Sequence, residues 1–211
     1  MKFRHELKYI CSEAELQIIE ARIKTICKID SHAGDSGIYQ IRSVYFDDNN
    51  DTCFYENENG TDPREKIRIR AYGCDTSYIS LERKRKERGM THKDSRKLFL
   101  DEYNSLISDK YIDSKLGYMY PKVIVAYERT PYVYEVGNVR ITFDRNISSS
   151  SNIDDFFSKD ALLRPVMPLG KHLLEVKYDE LLPDYLYNMM NLGSLQQTAF
   201  SKYYLCRRFS L

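Results

Sequence analysis

EKIRIRAYG, residues 65–73, carries Lys66, Arg68 and Arg70 at every second position, with Ile67 and Ile69 between them. Successive side chains of a strand point to opposite faces, so this spacing predicts a strand with one cationic and one apolar face. The same period returns in Arg4, Glu6 and Lys8, in Glu82, Lys84 and Lys86, in Arg140, Thr142 and Asp144, and in Glu175 and Lys177. Ile141, Phe143, Leu174 and Val176 fill the intervening positions. For any one strand, this is the pattern of a half-buried antiparallel sheet with a solvated outer face. Its recurrence, with arginine and lysine dominating, calls for a further reason.

Working outward, YISLERKRKE (78–87) follows across a short polar loop from Cys74 to Ser77, a meander of the hairpin kind. Gly89 interrupts it, and MTHKDSRKLFL continues as another extended stretch with Lys93 and Arg96. Upstream, IYQIRSVYF (38–46) reads as a strand, DDNNDT as turn formers before a short FYEN segment, and Asn59, Gly60, Asp62 and Pro63 as the next turn. The amino end MKFRHELKYI reads as the first strand. After it, SEAELQIIEARIKTIC forms a helix, with Ser12 and Glu15 as a capping box and Leu16, Ile19, Ile23 and Ile26 at helical spacing. Downstream, Asp101 to Ser108 reads as a short helix and PKVIVAYERTPYVYEV (121–136) as strand, turn and strand around Thr130 and Pro131. Gly137-Asn138 makes a hairpin turn into VRITFD, Ser148 to Ser151 a surface loop, and HLLEVKYDE the last strand. Pro183 starts a helix through Leu192, and the carboxyl end is partly helical. Eight or nine strands and about three helices, mostly with antiparallel connections, predict one α+β domain over 1–211 built on a large antiparallel sheet or barrel.

Composition excludes several classes. With 32 basic against 31 acidic residues and a net charge of +1, bulk charge gives no nucleic-acid binder. No run approaches the roughly 18 apolar residues of a membrane span, and the charged amino terminus has no secretory core, so a cytoplasmic protein is expected. Five widely spaced cysteines without a C-x-x-C pair and four isolated histidines argue against a disulfide framework or a thiolate or histidine metal site.

If the sheet curls into a barrel, the ions face one another, and like charges a few ångströms apart repel by roughly 4 kcal/mol per pair at an effective dielectric near 20. Interleaved carboxylates such as Glu6, Glu82 and Glu175, water, or a bound polyanion make that arrangement tolerable. Guanidinium forks pair with phosphate oxygens and lysines act as mobile point charges, so the mixture suits a chain of phosphates. Mg²⁺ or Mn²⁺ binds commonly through one or two carboxylates plus substrate phosphates, and Glu175, beside Lys177, is the leading candidate ligand.

The ordered segments R-H-E-L-K-Y, S-V-Y-F-D (43–47), I-R-I-R-A-Y-G, L-E-R-K, Y-E-R-T-P-Y, V-R-I-T-F-D, L-E-V-K-Y and F-S-K-Y resemble the VTC domain, the polyphosphate polymerase domain of the vacuolar transporter chaperone complex, and the wider triphosphate tunnel metalloenzymes. The resemblance spans Arg4 to Lys202. It implies an antiparallel β-barrel of about eight strands forming a triphosphate tunnel, with helices packed outside and a basic interior that binds triphosphate or polyphosphate with a divalent metal. Carried over by position, Lys8, Arg68, Arg70, Lys84, Lys93, Arg129, Arg140 and Lys202 answer to the family's cations and Glu175 to its metal ligand. Lys66 and Lys177 extend the phosphate-binding set. Only Glu6 and Lys8 of the E-x-E-x-K of the CYTH branch are kept, which favours the VTC branch. The chain reads as the bare catalytic-type domain, without the SPX domain and membrane helices of the eukaryotic complex; a membrane or transporter partner is left open.

The activity so implied is phosphoryl transfer from ATP to a growing polyphosphate. Arg68, Arg70, Arg129 and Arg140 clamp phosphate in this reading, Lys84 and the other lysines neutralise charge, Glu175 holds Mn²⁺ or Mg²⁺, and no protein nucleophile is required. Hydrolysis of triphosphate by a water that Glu6 activates, with Glu82 as a further acid-base or charge-balancing group, is the alternative. Non-catalytic polyphosphate binding is a third. Ser201 is placed to position Lys202.

Overall fold

The computed structural model describes residues 3–34, 36–108, 111–113 and 117–210. In chain order the elements are β1 (His5–Ser12), α1 (Glu13–Ile23), β2 (Lys28–Ile29), β3 (Tyr39–Asp47), α2 (Thr52–Glu58), β4 (Arg64–Tyr72), β5 (Ile79–Glu87) and β6 (Met90–Leu98). There follow α3 (Leu100–Ser108), β7 (Tyr111–Asp113), β8 (Gly117–Tyr134), β9 (Val139–Ser150), β10 (Arg164–Pro165), β11 (Lys171–Tyr178), α4 (Asp184–Met189) and α5 (Lys202–Arg208). The class is α+β on antiparallel strands. Eight long strands do the principal pairing, and β2, β7 and β10 are short additions.

These elements fall into two compact units. One holds the chain up to Tyr39, Tyr127–Ile147 and Met167–Phe200; the other holds Gln40–Ala126, Ser148–Val166 and the chain from Ser201.

In the first unit β1, β11, β9 and the second half of β8 are successive neighbours. Glu6 pairs with Lys177 and Lys8 with Glu175 across β1 and β11, while Glu175 pairs with Thr142 and Lys177 with Arg140 across β11 and β9. The opposite face carries Tyr9, Ile141, Phe143, Leu174 and Val176, which join Leu16, Ile19 and Ile23 of α1 and Leu186 of α4 in one core. Burying each such aliphatic side chain stabilises by about 1.5–3 kcal/mol. The start of α1 is fixed by the expected capping box: Glu15 N donates to Ser12 Oγ at 3.2 Å, and Ser12 N to Glu15 Oε2 at 2.7 Å.

In the second unit the first half of β8 is followed by β3, β4, β5 and β6. Arg88 and Gly89 both take positive φ (49° and 78°), the geometry of a two-residue hairpin turn that sets Glu87 opposite Met90. Gly89 is therefore the pivot of a hairpin that continues the sheet into β6. Ile67 and Ile69 are buried, and Lys66, Arg68 and Arg70 between them are half-buried on the other face.

Two local expectations are corrected, and the FYEN segment, left without an assignment, gains one. Thr130-Pro131 does not turn the chain, since β8 runs unbroken from Gly117 to Tyr134. Proline lacks the N–H but keeps its carbonyl, and Pro131 O accepts from Asp30 N at 3.0 Å beside the β2 pairing. The serines continue β9 to Ser150, because Ser148 and Ser149 pair with Pro165 and Arg164 of β10. FYEN lies in α2, whose amino end is held by Asp47: its carboxylate accepts from Cys53 N and Phe54 N at 2.9 and 3.0 Å.

Candidate functional site

Antiparallel register sets Lys66 opposite Lys84, and Lys84 opposite Lys93, so three ammonium groups form a row across β4, β5 and β6. The next row holds Arg68, Glu82 and Ser95, and the one after it Arg70, Ser80 and Lys97. Like charges directly opposite one another are destabilising on a sheet, so this face needs a counter-ion. Glu82 supplies one. Arg68 donates Nε and Nη2 to its Oε2 at 2.7 and 2.5 Å, Lys93 donates to its Oε1 at 3.1 Å, and Arg70 lies 3.9 Å away. Burial alone would raise the Glu82 pKa, but Arg68, Arg70 and Lys93 outweigh it and hold the carboxyl well below the ordinary range. A carboxyl so held balances charge; it has no proton to give near neutrality.

Secondary partners orient the cations. The third donor of Arg68, Nη1, reaches Tyr45 Oη at 2.7 Å. Lys66 donates to Asn57 Oδ1 at 2.5 Å and Ser201 Oγ at 2.6 Å, with its ammonium 5.6 Å from the Tyr203 ring centroid. Ser201 caps α5, accepting from Tyr204 N, and the lysine it meets is Lys66, in place of the expected Lys202. Lys202 is half-buried as the first residue of α5. Burial lowers the Lys93 pKa despite Glu82, with Arg70 and Arg68 adding to the fall.

The first unit holds the remaining candidates in a second ionic network. Arg129 is buried and makes a bidentate fork to Asp144, Nε to Oδ1 at 2.6 Å and Nη2 to Oδ2 at 2.7 Å. Its Nη2 also lies 3.7 Å from Glu175 Oε2. Burial disfavours the guanidinium charge, yet Asp144, Tyr127 and Glu175 together raise its pKa well above the usual value. Glu175 meets Lys177 at 2.5 Å, Lys177 meets Glu6 at 3.4 Å, and Glu6 meets Lys8 at 3.3 Å. Lys8 donates further to Phe200 O, and Arg140 is tied to Asp30 at 2.8 Å.

Asp144, Asp30, Asn57 and Tyr45 partner the candidate cations Arg129, Arg140, Lys66 and Arg68, and motif reading did not place them among the candidate site residues. Asp144 had a usable signal, since it stands in phase with Arg140 and Thr142; Asp30 and Asn57 sit in a connection and a helix, where strand phase carries no information.

Glu6 and Glu175 supply hard oxygen donors, nearly enclosed and bridged by one ammonium, and two such carboxylates plus phosphate oxygens suit Mg²⁺ or Mn²⁺. Among the described residues no three His, Cys, Asp or Glu side chains cluster as a self-sufficient metal cage. Thiolate chemistry is disfavoured at three of the cysteines: burial pushes Cys11 and Cys206 up to about 12 and Cys27 up to about 11. No helix among the described residues is long and apolar enough to cross a membrane.

Two solved structures share this fold. One, described as a candidate adenylate cyclase from Bacillus halodurans, superposes with a TM-score of 0.55 at 12% identity, covering 95% of this chain and 94% of its own. The other, a candidate adenylyl cyclase from Hippeastrum described as having a dominant triphosphatase activity, gives 0.53 at 12% identity, covering 100% and 97%. Comparison with curated proteins finds no match. The VTC domain model matches residues 3–117 and 114–210, nearly the whole length, and the chain belongs to the VTC domain family.

Proposed function

We propose that this chain, acting as one domain over 1–211, transfers phosphoryl groups from ATP to a growing polyphosphate. The observation that carries the reading is the face on which Arg68 and Arg70 adjoin the Lys66, Lys84 and Lys93 row, with Glu82 tying two of these cations together. Phosphoryl transfer spreads charge over the transferred group's oxygens, so positioned cations can supply catalysis without a protein nucleophile. In this reading Arg68 and Arg70 orient phosphate and Lys66, Lys84, Lys93 and Lys202 neutralise charge in the second unit, while Lys8, Lys177, Arg129 and Arg140 supply cations in the first. Glu175 and Glu6 would hold a Mn²⁺ or Mg²⁺ ion, which when bound supplies positive charge to the phosphate oxygens. The cytoplasm, where free thiols persist, is the proposed setting.

Incubating the pure protein with ATP and Mn²⁺ and resolving products on a gel tests this. A ladder of polyphosphate is expected. Orthophosphate alone would replace the reading with a triphosphatase, as the Hippeastrum protein's activity suggests, and no turnover would leave a binding module. Arg70→Ala should lower kcat/KM by about 10- to 100-fold, the worth of one charge-assisted contact. Undiminished turnover in Glu175→Gln would remove Glu175 from the metal site.

A further inference from the structure

Lys177 stands between two carboxylates. Its ammonium lies 2.5 Å from Glu175 Oε1 and 3.4 Å from Glu6 Oε1. The two glutamate side chains are only 5% and 6% exposed, while that of Lys177 is 25% exposed. Beyond them, Lys8 joins Glu6, and Arg129 joins both Glu175 and Asp144. Lys8, Lys177 and Arg129 thus face Glu6, Glu175 and Asp144, three charges of each sign. Directly opposite Lys177 across β11 and β9 is another cation, Arg140, itself bound to Asp30.

This balance has a consequence for metal binding. A divalent ion at Glu6 and Glu175 would add two positive charges where an ammonium already stands, and the two would repel. Lys177 can leave: its stem is long and flexible and its tip reaches solvent. On the β9 side Asp30 is already taken by Arg140, so an incoming anion offers Lys177 a new partner in leaving. Phosphate is such an anion, and its oxygens also complete a divalent ion's shell.

We propose that Lys177 is a positioning residue that occupies the divalent cation's place between Glu6 and Glu175 until phosphate draws it away, so that metal and phosphate bind together. The inference rests on the reading that this site takes phosphate and a divalent metal. It assigns Lys177 a role besides neutralising phosphate: without phosphate the carboxylates are already satisfied, and the protein binds metal weakly.

Titration of the phosphate-free, nucleotide-free protein with Mn²⁺, with free ion followed by electron paramagnetic resonance, tests it. Lys177→Met, which keeps the length of the stem and removes the charge, should bind Mn²⁺ at least about tenfold more tightly than wild type. Lys177→Arg should stay weak, and Lys177→Met combined with Glu175→Gln should lose the gain. Inorganic phosphate should tighten Mn²⁺ binding in wild type more than in Lys177→Met, after subtraction of a protein-free titration. Equal Mn²⁺ affinity in wild type and Lys177→Met, with thermal melts showing both folded, would overturn the proposal, as would a gain that persists without the Glu175 carboxylate. Should Lys177→Met melt early, Lys177→Gln repeats the comparison. Because no nucleotide is present, a failure to make polyphosphate from ATP leaves this result standing.

Discussion

Glu82 shows how one side chain sets the chemistry of a face. Arg68 and Lys93 hydrogen-bond to it and Arg70 lies just beyond, so deleting its charge leaves the half-buried Arg68 and Arg70 and the more exposed Lys93 repelling one another. Breaking a buried ion pair from one side costs about 3–5 kcal/mol, and Glu82→Gln should lose stability of that order in urea unfolding near neutral pH. The pH dependence has a definite sign. The folded pKa is depressed below the unfolded value of about 4.3, so the Glu82 contribution is fully present above that value and is lost as pH falls toward the folded pKa. The stability gap between wild type and Glu82→Gln should be constant from about pH 6 to 8 and shrink below about pH 4. A gap that grows on acidification would show that Glu82 is not held ionised. Arg129 follows the same logic with the charges exchanged: Asp144 makes it possible to bury a guanidinium beside Glu175.

Among the elements, α1 was readable in advance because its determinants are local. Its cap and the first part of its apolar stripe lie within a dozen residues and appear as expected, Leu16, Ile19 and Ile23 being buried, whereas Ile26 falls beyond the end of the helix and is exposed. Ser12→Ala removes the acceptor for Glu15 N and should cost about 1 kcal/mol, which for a chain of this size lowers the melting midpoint by roughly 2–4 °C. An unchanged midpoint would show that tertiary packing alone fixes the helix start. The elements that departed from expectation depend on distant partners. β8 passes through Pro131 because Asp30 uses the proline carbonyl, and Ser148 and Ser149 are strand because β10 pairs with them. Within the second unit Asp47 does something similar for helices: its carboxylate caps α2 and also accepts the Tyr203 hydroxyl of α5. Nothing in SVYFD by itself announces that a residue near 203 will complete it.

For the molecule as a whole, ligand binding should register as stability. Saturating tripolyphosphate at about 100 times its Kd stabilises a protein by about 2.7 kcal/mol, here a rise of roughly 5–10 °C in melting midpoint. The rise should shrink in Arg70→Ala and Lys93→Ala, and shrink in all variants at high salt, where charge screening is strong. An equal rise in those variants would place phosphate away from the face of β4, β5 and β6. Strand alternation told in advance which residues share a face, because side-chain direction is a property of the extended backbone: Arg68 and Arg70 on one side, Ile67 and Ile69 on the other. Sequence alone also determined the α+β antiparallel class and the family, through the order of its motifs. It could not determine which ion pairs with which. That Glu82 gathers Arg68 and Lys93, that Asp144 takes the Arg129 fork, and that Lys177 sits between Glu6 and Glu175 follow from register and rotamer. Those are decided only when strands far apart in sequence come within a few ångströms, where the ionic interactions become strong enough to select one arrangement.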